Sequence, residues 1–229
     1  MKTLGIIGGL GPQTTADLYA RINQLFDVET NGHRPHIIID SIPITTFLEN
    51  ENIIHEREFE PVLPYLIESA KRLEKAGVDY IILACNSLHI FSKEISEATN
   101  VPFVSIIDVV TTRIKNIGYK QVSLLGTYKT NSSNMYDTPL QKSGVKLSKL
   151  NSTEQVELSR IIIRLINDSY DNSDNKFFRQ IVEKEFKNGS EAVILACTDF
   201  HLISDDSDER LIDTVEELAQ YVTNLLSTV

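Results

Sequence analysis

"KAGVDYIILAC" (Lys75–Cys85) and "KNGSEAVILAC" (Lys187–Cys197) are two copies of one phrase, 112 positions apart, with six identities in eleven aligned positions. The chain has two cysteines, and each closes one copy. Each copy runs from a lysine through a glycine into a short apolar run. Polar, helix-starting residue types then follow in "CNSLH" and "CTDFH". A run of that kind reads as a buried strand of a parallel sheet, with its last residue delivered to the start of a helix.

Outward from the two phrases, β-branched runs alternate with amphipathic stretches. Candidate strands are Thr3–Gly8, His36–Asp40, Asp79–Ala84, Pro102–Ile106, Gln121–Gly126, Gly144–Lys149, Glu191–Ala196 and Arg210–Asp213. Between them, helical spacing marks Gln13–Phe26, Pro61–Ala76, Leu88–Ala98, Glu154–Asn167 and Lys176–Lys187, with a closing helix over Val215–Leu226. Such alternation predicts parallel sheets covered by helices on both faces. "TLGIIGG" (Thr3–Gly9) has its counterpart in "QVSLLGT" (Gln121–Thr127), each an apolar strand ending at glycine. Two similar α/β halves related by a pseudo-twofold axis are therefore expected. "SYDNSDN" (Ser169–Asn175) reads as a polar loop, and "ENENIIHERE" (Glu49–Glu58) as a long connection of the kind that forms lids or binding loops.

Composition sets limits. With 229 residues, 41% hydrophobic and 24% charged, the chain can bury a substantial core. No apolar run approaches the roughly 18–20 residues of a membrane span, and the glycine-rich start reads as a buried strand rather than a signal peptide. Cytoplasmic residence is expected. A net charge of −10 leaves no basic stripe for nucleic acid, and an anionic substrate must be held by local groups.

The repeated cysteines admit several chemistries. They are buried hydrophobes, a reversible disulfide, half of a Cys₂His₂ metal set completed by His89 and His201, or two acid/base groups flanking one carbon. In the last case one thiol is deprotonated and the other protonated, and the two exchange roles with direction. At the carboxyl ends of parallel strands each thiol would feel a helix start, while Asn86, Ser87 and Thr198 could cradle a carboxylate.

"GIIGGLGPQTTADLY" (Gly5–Tyr19), "ILACNSLH" (Ile82–His89), "LLGTYKT" (Leu124–Thr130) and "ILACTDFH" (Ile194–His201) together resemble the aspartate/glutamate racemases, most closely the aspartate racemases, in order along the whole chain. That resemblance implies two pseudosymmetric three-layer α/β/α subdomains with mainly parallel four-stranded sheets and an active site in the cleft between them. The subdomains would comprise residues 1–100 plus 214–229 and residues 101–213. It also implies a pyridoxal-phosphate-independent amino-acid racemase with no cofactor and no metal, acting on aspartate, glutamate or another small amino acid, as a homodimer. Cys85 and Cys197 would be the two bases. Gly9, Leu10, Gly11, Pro12 and Gln13 would form the first loop. Asn86, Ser87, Thr127, Thr130, Thr198 and Asp199 would line the substrate. Aspartate-specific members of the family carry an Arg where "IPITT" has Thr45, and a Lys near the position of Asn167. Both positions are neutral here, so Arg57 or Lys129 would have to substitute, or the substrate side chain is uncharged. A non-racemising isomerase or lyase, or a ligand-binding protein that has lost catalysis, are the alternatives on the same scaffold.

Overall fold

The computed structural model describes residues 2–30, 32–44, 60–204 and 207–227. In chain order the first elements are β1 (Thr3–Gly8), α1 (Pro12–Glu29), β2 (His36–Ser41), α2 (Leu63–Lys75), β3 (Tyr80–Leu83), α3 (Ser92–Glu97), β4 (Phe103–Val104) and α4 (Ile106–Ile117). They are followed by β5 (Gln121–Gly126), α5 (Tyr128–Ser132), α6 (Asp137–Lys142), β6 (Lys146–Lys149), α7 (Ser152–Ile166), α8 (Asn172–Lys187), β7 (Ala192–Ala196), β8 (Leu211–Asp213) and α9 (Thr214–Ser227). The strands form two four-stranded parallel sheets, ordered β2-β1-β3-β4 and β6-β5-β7-β8. The two orders are equivalent, so the repeat seen in the sequence is a repeat of topology. Among the described residues, those up to 44, 60–109 and 215–227 form one compact unit, and 110–214 form the other.

In the first unit, β1 is buried along its whole length because it lies between β2 and β3 with both faces covered. Its side chains alternate. Ile7, with Ile81 and Leu83 of β3, joins a cluster with Leu66, Ala70 and Leu73 of α2. Leu4 and Ile6, on the opposite pleat, are fully buried as well. The second unit repeats this layout. Leu125 of β5 and Val193 and Leu195 of β7 pack with Leu158, Ile161, Ile162 and Leu165 of α7 and with Phe178 and Ile181 of α8. Each fully buried Leu or Ile contributes about 1.5–3 kcal/mol relative to exposure, so these clusters are what hold the strand ends in place.

Several boundaries differ from the expectation drawn from sequence. Pro102–Ile106 is strand only over Phe103–Val104, and Ile106 begins α4, a helix hidden by its own β-branched residues. Helices α5 and α6 were not expected. The polar run Ser169–Asn175 is not all loop, since α8 starts inside it. Asp171 caps that helix by accepting from Ser173 N (2.7 Å), and Asp174 returns the bond from Asp171 N–H (3.1 Å). Leu88–Ala98 divides into a 3₁₀ turn, Ser87–Phe91, and α3. The connection Glu49–Glu58 lies outside the described residues.

His89 ties the turn after β3 to the start of α4. Its Nε2 accepts from Ile106 N–H (3.1 Å), so its proton sits on Nδ1, which donates to the Cys85 carbonyl (2.7 Å). The ring is buried and packs against Phe103 at 5.6 Å between centroids. Burial lowers its pKa to about 4. The unfolded histidine, titrating near about 6.5, binds a proton that the folded one refuses between roughly pH 4 and 6.5, so stability is lost as pH falls through that window. The expected loss is on the order of 3 kcal/mol. Urea unfolding at a series of pH values should show it as the difference between wild type and His89→Gln. A variant keeping the full acid-side slope would refute this role.

Candidate active site

Each unit builds a candidate strand-end site of its own at the carboxyl end of its sheet, from the strand that ends in glycine and the strand that ends in cysteine. In the first unit β1 and β3 run in parallel with Ile7 opposite Leu83, and Ala84 N–H donates to Ile7 O (3.1 Å). Cys85, two residues past Leu83, therefore comes level with Gly9. The turn there is set by backbone shape. Gly9 (φ 93°) and Gly11 (φ 68°) take the left-handed conformation, and a Cβ on Gly9 would lie 2.7 Å from the carbonyl oxygen of Ile42. Thr15 locks the turn from α1: its Oγ1 accepts from Gly9 N–H (3.1 Å), and its hydroxyl donates to Gly11 O (3.3 Å). Pro12 then opens α1, and Gln13 is exposed, its amide donating to Asp17 (2.9 Å).

Cys85 is half-buried and continues the face of Ile81 and Leu83, against the α2 cluster. Asn86 and Ser87 after it are buried. They open the short 3₁₀ turn Ser87–Phe91 without a side-chain cap. That corrects the expectation of a capped helix start. A five-residue 3₁₀ turn has little dipole to offer a thiolate. Both ring nitrogens of His89 are committed within the fold, so its imidazole stands behind the site as a support rather than in it.

In the second unit Gly126 lies opposite Ala196, so Cys197 comes level with Thr127. A Cβ on Gly126 would meet the Ala196 carbonyl at 3.2 Å and the Thr130 Cβ at 3.3 Å. Thr127 caps α5: its Oγ1 accepts from Thr130 N–H (3.2 Å) and shares a hydrogen bond with the Thr130 hydroxyl (3.0 Å). Thr130 is wholly enclosed beneath that turn. Cys197 belongs to the cluster of Val193 and Leu195, the same sheet face on which Cys85 stands in the first unit. It is buried and extended (φ −127°, ψ 128°), and its Sγ–H donates to Asp199 Oδ2 across 3.6 Å. Thr198 and Asp199 are half-buried, while Phe200 anchors the turn against Phe178 at 5.1 Å between ring centroids. His201 Nδ1 is bonded to the Thr198 carbonyl (2.7 Å).

The structure thus brings Gly11, Pro12, Cys85, Asn86 and Ser87 to one strand-end in the first unit, and Thr127, Thr130, Cys197, Thr198 and Asp199 to the equivalent strand-end in the second. Asn167 does not join them. It is the exposed residue closing α7, with its amide on the Ile163 carbonyl (2.8 Å). Gln155, which touches Gly126, is twelve residues earlier in the same helix, about 18 Å away at 1.5 Å per residue. Thr45 lies outside the described residues. Sequence reasoning missed Gln155 itself and Asn131. Both amides donate to the Gly126 carbonyl (3.0 and 3.3 Å), and Asn131 also donates to Gln155 Oε1 (2.9 Å) and to Thr127 O (3.2 Å). The signal was present: Gln155 is a polar residue on the helical stripe that continues through Leu158, Ile162 and Leu165. Lys149, at the end of β6, pairs with Asp137 at 2.7 Å.

No helix of the described residues is long and apolar enough to cross a membrane. Residues 7–222 match the sequence profile of the Asp/Glu/hydantoin racemases. Among curated proteins, the chain is 27% identical to the broad-specificity amino-acid racemase RacX of Bacillus subtilis (strain 168), over 95% of both chains. Among solved structures it is similar to an aspartate racemase homologue from Pyrococcus horikoshii OT3, at 31% identity and a TM-score of 0.79, covering 99% of this chain and 100% of that one. It is also similar to an aspartate racemase from Picrophilus torridus, at 25% identity and a TM-score of 0.81, covering 99% and 94%. With both cysteine strands inside the matched region, the chain belongs to the Asp/Glu/hydantoin racemase family.

Proposed function

We propose that this member of the family is an amino-acid racemase that needs no pyridoxal phosphate and uses two thiols, Cys85 and Cys197, one taking the α-proton and the other delivering its own proton to the opposite face of the carbon. The observation that carries this reading is the equivalence of the two cysteines. Each stands on the same sheet face, two residues beyond a matching register pair, Ile7–Leu83 in one unit and Leu125–Leu195 in the other, beside the turn that follows the glycine strand. Inversion at a carbon needs a base on one face and an acid on the other, and duplicated half-sites supply one of each. Oriented polar groups beside each thiol, Asn86 and Ser87 in one half and Thr127 and Thr198 in the other, would hold the amino-acid head group. That fixed polarity lowers the cost of charge developing at Cα.

For the substrate we favour an amino acid with an uncharged side chain. A side-chain carboxylate calls for a cation, and the position where resemblance to the aspartate-specific members implies an Arg, Thr45, is neutral. The similarity to a broad-specificity racemase supports this choice. Aspartate is the second reading, supported by Lys129 in α5, two residues after Thr127.

Single L-amino acids incubated with the protein and resolved on a chiral column test the substrate. Conversion of neutral amino acids well ahead of aspartate and glutamate is expected, and an aspartate-only profile would reverse the order of the two readings. Activity should survive hydroxylamine, which strips pyridoxal phosphate. Cys85→Ala and Cys197→Ala should each lower racemisation by about a thousandfold, within the range that one proton-transfer group supplies. In deuterated water each single variant should still exchange the α-proton of one enantiomer, and the two variants should favour opposite enantiomers. Full racemisation by either variant would eliminate the two-thiol scheme.

A further inference from the structure

We infer that Asp199 is a positioning residue that holds Cys197 in its thiol form, making Cys197 the proton donor of the resting enzyme and Cys85 its base. The inference rests on the two-thiol reading above and assigns each thiol its starting role. The Cys197 Sγ–H donates to Asp199 Oδ2 at 3.6 Å, and with Asp199 ionised this bond requires the shared proton to sit on the sulfur. Removing that proton would set a thiolate against a carboxylate with the sulfur buried, where like charges repel far more strongly than in water. The turn beyond Cys197 spans five residues, Thr198–Leu202, so it gives little helix dipole to offset the carboxylate.

The other charged groups around this turn can be named by element. On the turn itself, His201 bonds the Thr198 carbonyl through Nδ1. Helix α7 contributes apolar Leu158, Ile161 and Ile162 to the Cys197 cluster, while its Glu154 is paired with Lys184 and its Glu157 with Arg160 and Arg164. Strand β8 ends at Asp213, in register with Leu195, which adds negative rather than positive character. The cation of the neighbouring strand-end is Lys129 in α5.

The step balances. The Cys85 thiolate takes the α-hydrogen as a proton, and the C–H electron pair stays on the carbon. Cys197 then gives its S–H proton to the opposite face of that carbon, and the electron pair stays on its sulfur. Turnover leaves Cys85 as thiol and Cys197 as thiolate facing Asp199. Return of a proton from water to Cys197, and its loss from Cys85, restores the resting state. Asp199, which the resemblance places among the groups lining the substrate, acts in this scheme through the sulfur instead.

The test is alkylation of the full-length protein by iodoacetamide over a range of pH, with modification of the Cys197 peptide followed by mass spectrometry. Asp199→Asn keeps an oxygen that can accept the S–H but removes the charge. It should speed Cys197 labelling near neutral pH by about tenfold or more, as a thiol pKa lowered by about one unit requires. Asp199→Glu should restore the wild-type profile, which loss of packing alone would not do. An Asn variant whose labelling profile superimposes on wild type overturns the inference, as does failure of Glu to restore it. Because labelling is read without turnover, the result stands apart from whether the protein racemises any amino acid.

Discussion

The register between a strand that ends in glycine and a parallel strand that ends in cysteine is the constraint from which the site follows. Parallel pairing fixes which residues share a level, and side-chain alternation fixes which face each residue takes. With Ile7 opposite Leu83 and Gly126 opposite Ala196, each cysteine is carried to the turn beyond the glycine strand, on the face covered by α2 in one unit and by α7 and α8 in the other. A slip of one residue in either pair would turn the thiol to the other face of its sheet. The buried clusters under those faces make the slip costly, so core packing and chemistry share one cause.

Around that common plan the halves have diverged in how each turn is secured. The first uses glycine backbone at Gly9 and Gly11, locked by the single hydroxyl of Thr15. The second spends two buried amides, Gln155 and Asn131, on the Gly126 carbonyl and lets Thr127 cap a short helix. The histidine that follows each cysteine by four residues differs in the same way. His89 is sealed between the Cys85 carbonyl and the Ile106 amide, whereas His201 bonds the Thr198 carbonyl. Asp199 gives Cys197 an acidic partner of its own. A duplicated frame carrying unlike details would suit the proposed two-thiol reaction, in which the two sulfurs need opposite protonation states at each moment.

Most of the sheet architecture was legible in the chain, because buried parallel strands are near-continuous apolar runs with glycine or polar punctuation. All eight expected strands are present, with ends trimmed or extended by a few residues. What escaped has a physical reason in each case. Helix α4 is rich in Ile and Val, which local pattern assigns to strands, and tertiary packing overrode that preference. The start of α8 looked like a loop because Asp171 and Asp174 form its capping box, and capping residues are the polar residues that also make loops. Asn167 was assigned to the site by resemblance alone, and it closes α7 twelve residues beyond the Gln155 that bonds Gly126, so helix rise carries it far from that carbonyl.

By itself the sequence determined the duplicated α/β plan, the strand-end placement of Cys85 and Cys197, and the glycine turn after β1, since apolar runs, glycines and the repeat are local properties written in residue order. Only the tertiary structure decided which neighbours those residues acquired. The lock from Thr15 to Gly9, the Gln155 and Asn131 amides on Gly126, the tautomer of His89 and the removal of Asn167 from the site all depend on helix direction and strand pairing. A hydrogen bond joins groups that approach in space, and that approach is set only when the helices pack on their sheets.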